Sequence, residues 1–66
     1  MKFTFNHPNG RFLGLGYGER PADARDMAAT MRQQIEAPRG SGFEIVSHEI
    51  VDGDMTCTVI PIKVGP

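Results

Sequence analysis

The sequence predicts a small α+β domain: a single four-stranded antiparallel sheet with one helix on one face, in the order strand, strand, helix, strand, strand. Three observations carry this. Residues 21–36 place apolar side chains at helical spacing, whereas the segments on either side alternate apolar and polar residues as strands do. Each alternating block is also broken by a strong turn sequence, His7-Pro8-Asn9-Gly10 in the first and Asp52-Gly53 in the second.

The first strand runs from Lys2 to Asn6, with Phe3 and Phe5 on one face and Lys2, Thr4 and Asn6 on the other. In the turn that follows, Pro8 presets φ at its second position, Asn9 tolerates the third, and Gly10 takes positive φ. The return strand, RFLGLGY, puts Leu13, Leu15 and Tyr17 opposite Phe12, Gly14, Gly16 and Gly18. These glycines spell G-x-G-x-G, not the G-x-G-x-x-G of a dinucleotide cradle, and two of them fall inside a strand. They are expected to bare one sheet face so that a helix, a backbone or a partner can approach closely.

The helix follows. Ala24, Met27, Ala28, Met31 and Ile35 share one narrow face, and Pro21 suits the first helical position. Asp23 and Asp26 suit the positive end of the dipole, although Arg20 is a weak N-cap. Pro38 disfavours helix at Ala37, and a loop through Gly42 is expected. One polar flank carries Arg25, Arg32 and Glu36, the other Asp23, Asp26, Thr30 and Gln34.

GFEIVSHEIV and MTCTVIPIKV then flank Asp52-Gly53, a type I′ hairpin signal. Counting back from that turn pairs Ile50 with Met55, His48 with Cys57, Val46 with Val59 and Ile45 with Ile60. Both faces would then be apolar, so either a bulge near Ser47 switches the core side or the second face meets a partner. Pro61 makes the last strand an edge or marks a bulge.

Composition bounds the rest. The 66 residues form one domain, 1–66, with a formal charge of −1. A chain of this size buries only about 60% of its unfolded surface, so help from oligomerisation or a partner is expected. Cys57 is the single cysteine, which precludes an internal disulfide, and with His7 and His48 it is too little for a structural zinc site. No signal peptide or membrane span is read, and the free thiol points to the cytoplasm. No cofactor is expected.

Candidate chemistry is sparse. His48 opposite Cys57 has the residue types of a base and nucleophile, but no residue orients the imidazole, so packing is the expected role and no catalytic residue is assigned. Asp52 and Asp54, with Glu49 nearby, form an acidic hairpin tip that lacks the ligand count of a calcium loop and is better read as serving solubility, or as a contact for a basic partner. Candidate partner-binding residues are therefore Arg25, Arg32 and Glu36 on the helix and Glu49, Asp52 and Asp54 on the hairpin. A single-stranded nucleic-acid site would combine Arg11, Arg20, Arg25, Arg32 and Arg39 with Phe3, Phe5, Phe12 and Tyr17, although Phe3 and Phe5 are more simply core residues.

Three resemblances add expectations. FNHPNGRFLGLGY is similar to the first hairpin of cold-shock domains, which implies base stacking, although a helix follows where that family has strands. FEIVSHEIVDGDMTCTVIPIKVG, residues 43–65, resembles the long hairpin of the dodecins, which implies a self-associating sheet and a bound flavin. Gly42 stands where that family has its stacking tryptophan, and Val59 roughly where it has a flavin-contacting glutamine. In size and architecture, with no motif in support, the chain resembles phage-encoded anti-defence inhibitors of the anti-CRISPR type. That likeness implies a non-enzymatic protein that occupies a surface of a host complex in the host cytoplasm. A homodimer through the uncovered sheet face or edge strand is a further expectation.

Overall fold

Turn geometry explains the two hairpins. Gly10 N–H donates to the His7 carbonyl at 2.8 Å, closing a β-turn with Pro8 and Asn9 at its centre, and Gly10 has φ +93°. Asn9 Oδ1 accepts from Arg11 N–H at 2.8 Å and braces the exit of the turn. At the other hairpin Asp52 and Gly53 have φ of 52° and 80°, the paired positive values that a type I′ turn requires.

The computed structural model describes residues 1–31 and 42–62. Its elements are β1 (Lys2–Asn6), β2 (Phe12–Tyr17), α1 (Pro21–Thr30), β3 (Phe43–Val51) and β4 (Asp54–Pro61). They form one four-stranded sheet, ordered β2-β1-β4-β3, with the helix on one side. The α+β architecture and the element order agree with the sequence reading, with one correction. The sheet is mixed: β1 and β4 lie side by side and parallel, Phe3 against Met55 and Phe5 against Cys57. The chain crosses from β2 through α1 to β3, so the two hairpins meet along their first and last strands. That placement also overturns the expectation that β4 is an edge. It is central, and Pro61 is accommodated because β4 pairs with β1 only from Met55 to Thr58.

The core forms between sheet and helix from Phe3, Phe5, Leu13, Ala24, Ala28, Phe43, Met55, Cys57 and Val59, with Met27, Met31 and Ile45 packed against it. Phe3 and Phe5 are buried as alternation required. Leu13 is not. A register shift between Phe5 and Asn6 turns it into the core rather than leaving it beside Leu15 and Tyr17.

In β3 the expected pairs Ile50–Met55 and His48–Cys57 form. A bulge between Ile45 and Ser47 then brings Ile45 opposite Val59 and Glu44 opposite Ile60, in place of the unbroken register. The bulge is what switches the core side. It lets Phe43 and Ile45 join Met55, Cys57 and Val59, while Val46 is left exposed.

Helix α1 begins at Pro21 with Arg20 extended before it. The weak cap is compensated by Asp23, whose Oδ2 accepts from Glu19 N–H at 3.0 Å and Arg20 N–H at 2.9 Å. These bonds, that from Arg20 foremost, hold the Asp23 carboxyl below its ordinary range. The helix is shorter than its pattern predicts. It ends at Thr30, and Met31 is already extended at φ −68°, ψ 138°. The rest of the predicted helix, Ile35 included, lies outside the described residues.

Helix side chains reach the sheet along tracks four residues apart. Asp23, Met27 and Met31 lie over Gly18, Gly16 and Gly14, so the glycine face of β2 is the seat of the helix. Ala24 and Ala28 fill the centre. Toward the helix C-terminus the Ala29 backbone approaches Gly42 too closely for any side chain there, and Gly42 has φ +73°.

Candidate functional site

Among the described residues α1 covers one sheet face, and no element covers the other. Register arranges that open side in rows. Leu15, Thr4, Thr56 and Glu49 form one row, and Phe12, Asn6, Thr58 and Ser47 another. Tyr17 pairs with Lys2 at the end of the sheet, where Met1 and Gly18 exchange backbone bonds at 2.8 and 3.0 Å.

The columns differ in chemistry. The two central strands present Lys2, Thr4 and Asn6 on β1 and Asp54, Thr56 and Thr58 on β4, a polar surface. Edge strand β2 presents Phe12, Leu15 and Tyr17, which are 57%, 55% and 68% exposed. This exposure follows from the glycines and the register. With Gly14, Gly16 and Gly18 turned to the helix, Leu15 and Tyr17 face solvent by alternation, and the register shift beside Asn6 turns Phe12 outward and Leu13 into the core.

The two edges are also unlike each other. Edge strands of soluble proteins are usually guarded by charge, proline or a bulge. Strand β3 carries Glu44, His48 and Glu49 and the bulge at Val46. Strand β2, FLGLGY, carries neither charge nor proline, and its one irregularity lies near Leu13, before the exposed Leu15 and Tyr17. Among the described residues no strand pairs with β2 on its outer side, where the apolar column stands.

The sequence-predicted site residues do not converge. Arg25 lies on the helix side, near Ile45, His48 and Met55. Glu49 faces the open side in the Thr56 row, and Asp52 and Asp54 sit at the β3–β4 turn. Arg32 and Glu36 lie outside the described residues, as does Arg39. The column of Phe12, Leu15 and Tyr17 was not legible in the sequence: alternation groups Leu13 with Leu15 and Tyr17 and turns Phe12 to the glycine face, and only the register shift beside Asn6 exchanges Phe12 and Leu13.

His48 and Cys57 are cross-strand partners, as expected. Cys57 is fully buried, and burial pushes its thiol pKa up, away from the thiolate a nucleophile needs. Among the described residues no group of three or more His, Cys, Asp or Glu is placed to hold a metal ion, and no helix is long and apolar enough to cross a membrane.

No known protein-family model matches the chain, and neither curated proteins nor solved structures yield a significant match.

Proposed function

We propose that this protein is a non-enzymatic binding module that acts by protein–protein contact through edge strand β2. The observation that supports it is the pairing of an uncharged, unguarded edge with the outward column Phe12, Leu15 and Tyr17. Main-chain bonds from β2 supply affinity in strand addition, and the outward side chains select the partner. Aromatic and aliphatic anchors of this kind dominate protein interfaces.

The finer reading is an inhibitor that blocks a host complex in the bacterial cytoplasm, in the manner of phage anti-CRISPR proteins. Small size and a one-sheet, one-helix build support it. The acidic tip at Glu49, Asp52 and Asp54 would face a basic partner beside the β2 contact or apart from it.

The test has two arms. Tagged protein is used to capture partners from bacterial lysate, alongside Leu15→Ser/Tyr17→Ser and a control at the exposed helix residue Asp26, Asp26→Asn. The binding reading expects a discrete protein lost with the β2 variant and kept with the control. Recovery of nucleic acid or flavin in place of protein sinks it. In the second arm, expression in a host whose CRISPR system targets a phage restores plaques if the inhibitor reading is right. Undiminished protection across the CRISPR types tried removes that reading and leaves the first arm to stand alone.

A further inference from the structure

The helix side of the sheet holds a concavity that the β2 contact does not use. It is a cleft of about 340 Å³ lined by Pro21 and Arg25 of α1, Ile45 and His48 of β3, and Met55 of β4. That volume is at the small end of ligand sites. Met55 is buried and Ile45 half-buried, so together with Pro21 they provide apolar walls.

Two polar groups join those walls. Among the described residues the side chains of Arg25 and His48 form no hydrogen bond or ion pair, in contrast to Arg20, which is tied to Asp23 at 3.3 Å. Among the described residues no acidic side chain lines the cleft. The lining formed by the described residues therefore has one fixed positive charge, one imidazole and an apolar remainder.

We propose that this cleft binds a small organic carboxylate. A guanidinium presents a planar fork that matches a carboxylate, and it stays charged at every physiological pH. The imidazole N–H is a further donor for the same anion. Pro21, Ile45 and Met55 take the apolar body. A single arginine suits a monoanion of this shape better than a phosphate, whose greater charge calls for more cations. The site lies on the opposite side of the sheet from Phe12, Leu15 and Tyr17, so it stands or falls independently of the β2 contact.

The experiment is a methyl and histidine-ring NMR titration of the intact protein with benzoate, and with benzyl alcohol as a neutral probe of similar shape. Benzoate is expected to shift Ile45, Met55 and His48 saturably, with a Kd of about 1 mM or tighter. Benzyl alcohol should bind at least about tenfold more weakly, because the charge-assisted bond is lost. Arg25→Gln should weaken benzoate by a similar factor while leaving benzyl alcohol unchanged. Arg25 is exposed, so this variant is expected to fold. Arg25→Lys, which keeps the charge and loses the fork, should fall between the two. Equal binding of both probes, indifference to Arg25→Gln, or shifts that scatter over the protein without saturating would each overturn the proposal.

Discussion

The sulfur of Met27 lies 2.6 Å from the point where a Cβ on Gly16 would stand. The methionine fills the space the glycine leaves, and this contact seats α1 on β2. Gly16→Val should destabilise the fold by about 1–3 kcal/mol through overpacking. Gly16→Ala should lose less, since a thioether chain adapts. Urea unfolding measures both, and pairing Gly16→Ala with Met27→Ala should recover part of the loss. Equal stability of the wild type and Gly16→Val would refute the contact.

Gly42 makes a harsher demand. A side chain there would meet the Ala29 carbonyl oxygen, which belongs to the helix backbone and cannot swing aside as Met27 can. Positive φ alone costs a non-glycine residue roughly 1–2 kcal/mol. Gly53, also at positive φ, would meet nothing within 4 Å. Gly42→Ala is therefore expected to lose about 3 kcal/mol or more, and Gly53→Ala only about 1 kcal/mol. Denaturation midpoints in that order are the check.

Asp23 couples the helix start to pH. Its pKa is lowered from the ordinary 3.8 by backbone N–H bonds from Arg20 and Glu19, so the folded state binds this proton less readily than the unfolded chain. Its contribution is complete above the unfolded value and is lost as pH falls through the lower folded value. Melting temperature should drop for this reason below about pH 4, and Asp23→Ala should flatten that part of the curve. Parallel acid curves for wild type and variant would remove Asp23 from the account.

Cys57 is predicted to be chemically quiet. Its thiol is buried among core side chains with its pKa raised by desolvation. Alkylation by iodoacetamide should be slow in the native protein and rapid in urea, and Cys57→Ala should cost about 1–2 kcal/mol without impairing partner capture. Fast native alkylation would reopen the His48–Cys57 pair as reactive chemistry.

Much of the local structure was legible because it is determined locally. Asp52-Gly53 adopts its turn through backbone preference, and Phe3 and Phe5 are buried through simple alternation. Pro21 and Asp23 mark the helix start, and Gly14 and Gly16 of β2, with Gly18 just beyond it, were rightly read as a place of close approach. The candidate site was less legible. Charge suggested Arg25, Glu49, Asp52 and Asp54, which the fold distributes over separate surfaces, whereas the apolar column on β2 looked like one more core face.

What the sequence determined by itself were the turns, the strand alternation and the start of the helix, since each depends on neighbours a few residues apart. The tertiary structure decided three further things: the parallel union of β1 with β4, the bulge that turns Phe43 and Ile45 inward, and the exposure of Phe12, Leu15 and Tyr17. Each of these depends on which surfaces can be buried together. The helix requires a bare track, only the glycine face of β2 supplies one, and the large residues on its other face are thereby left for solvent or a partner.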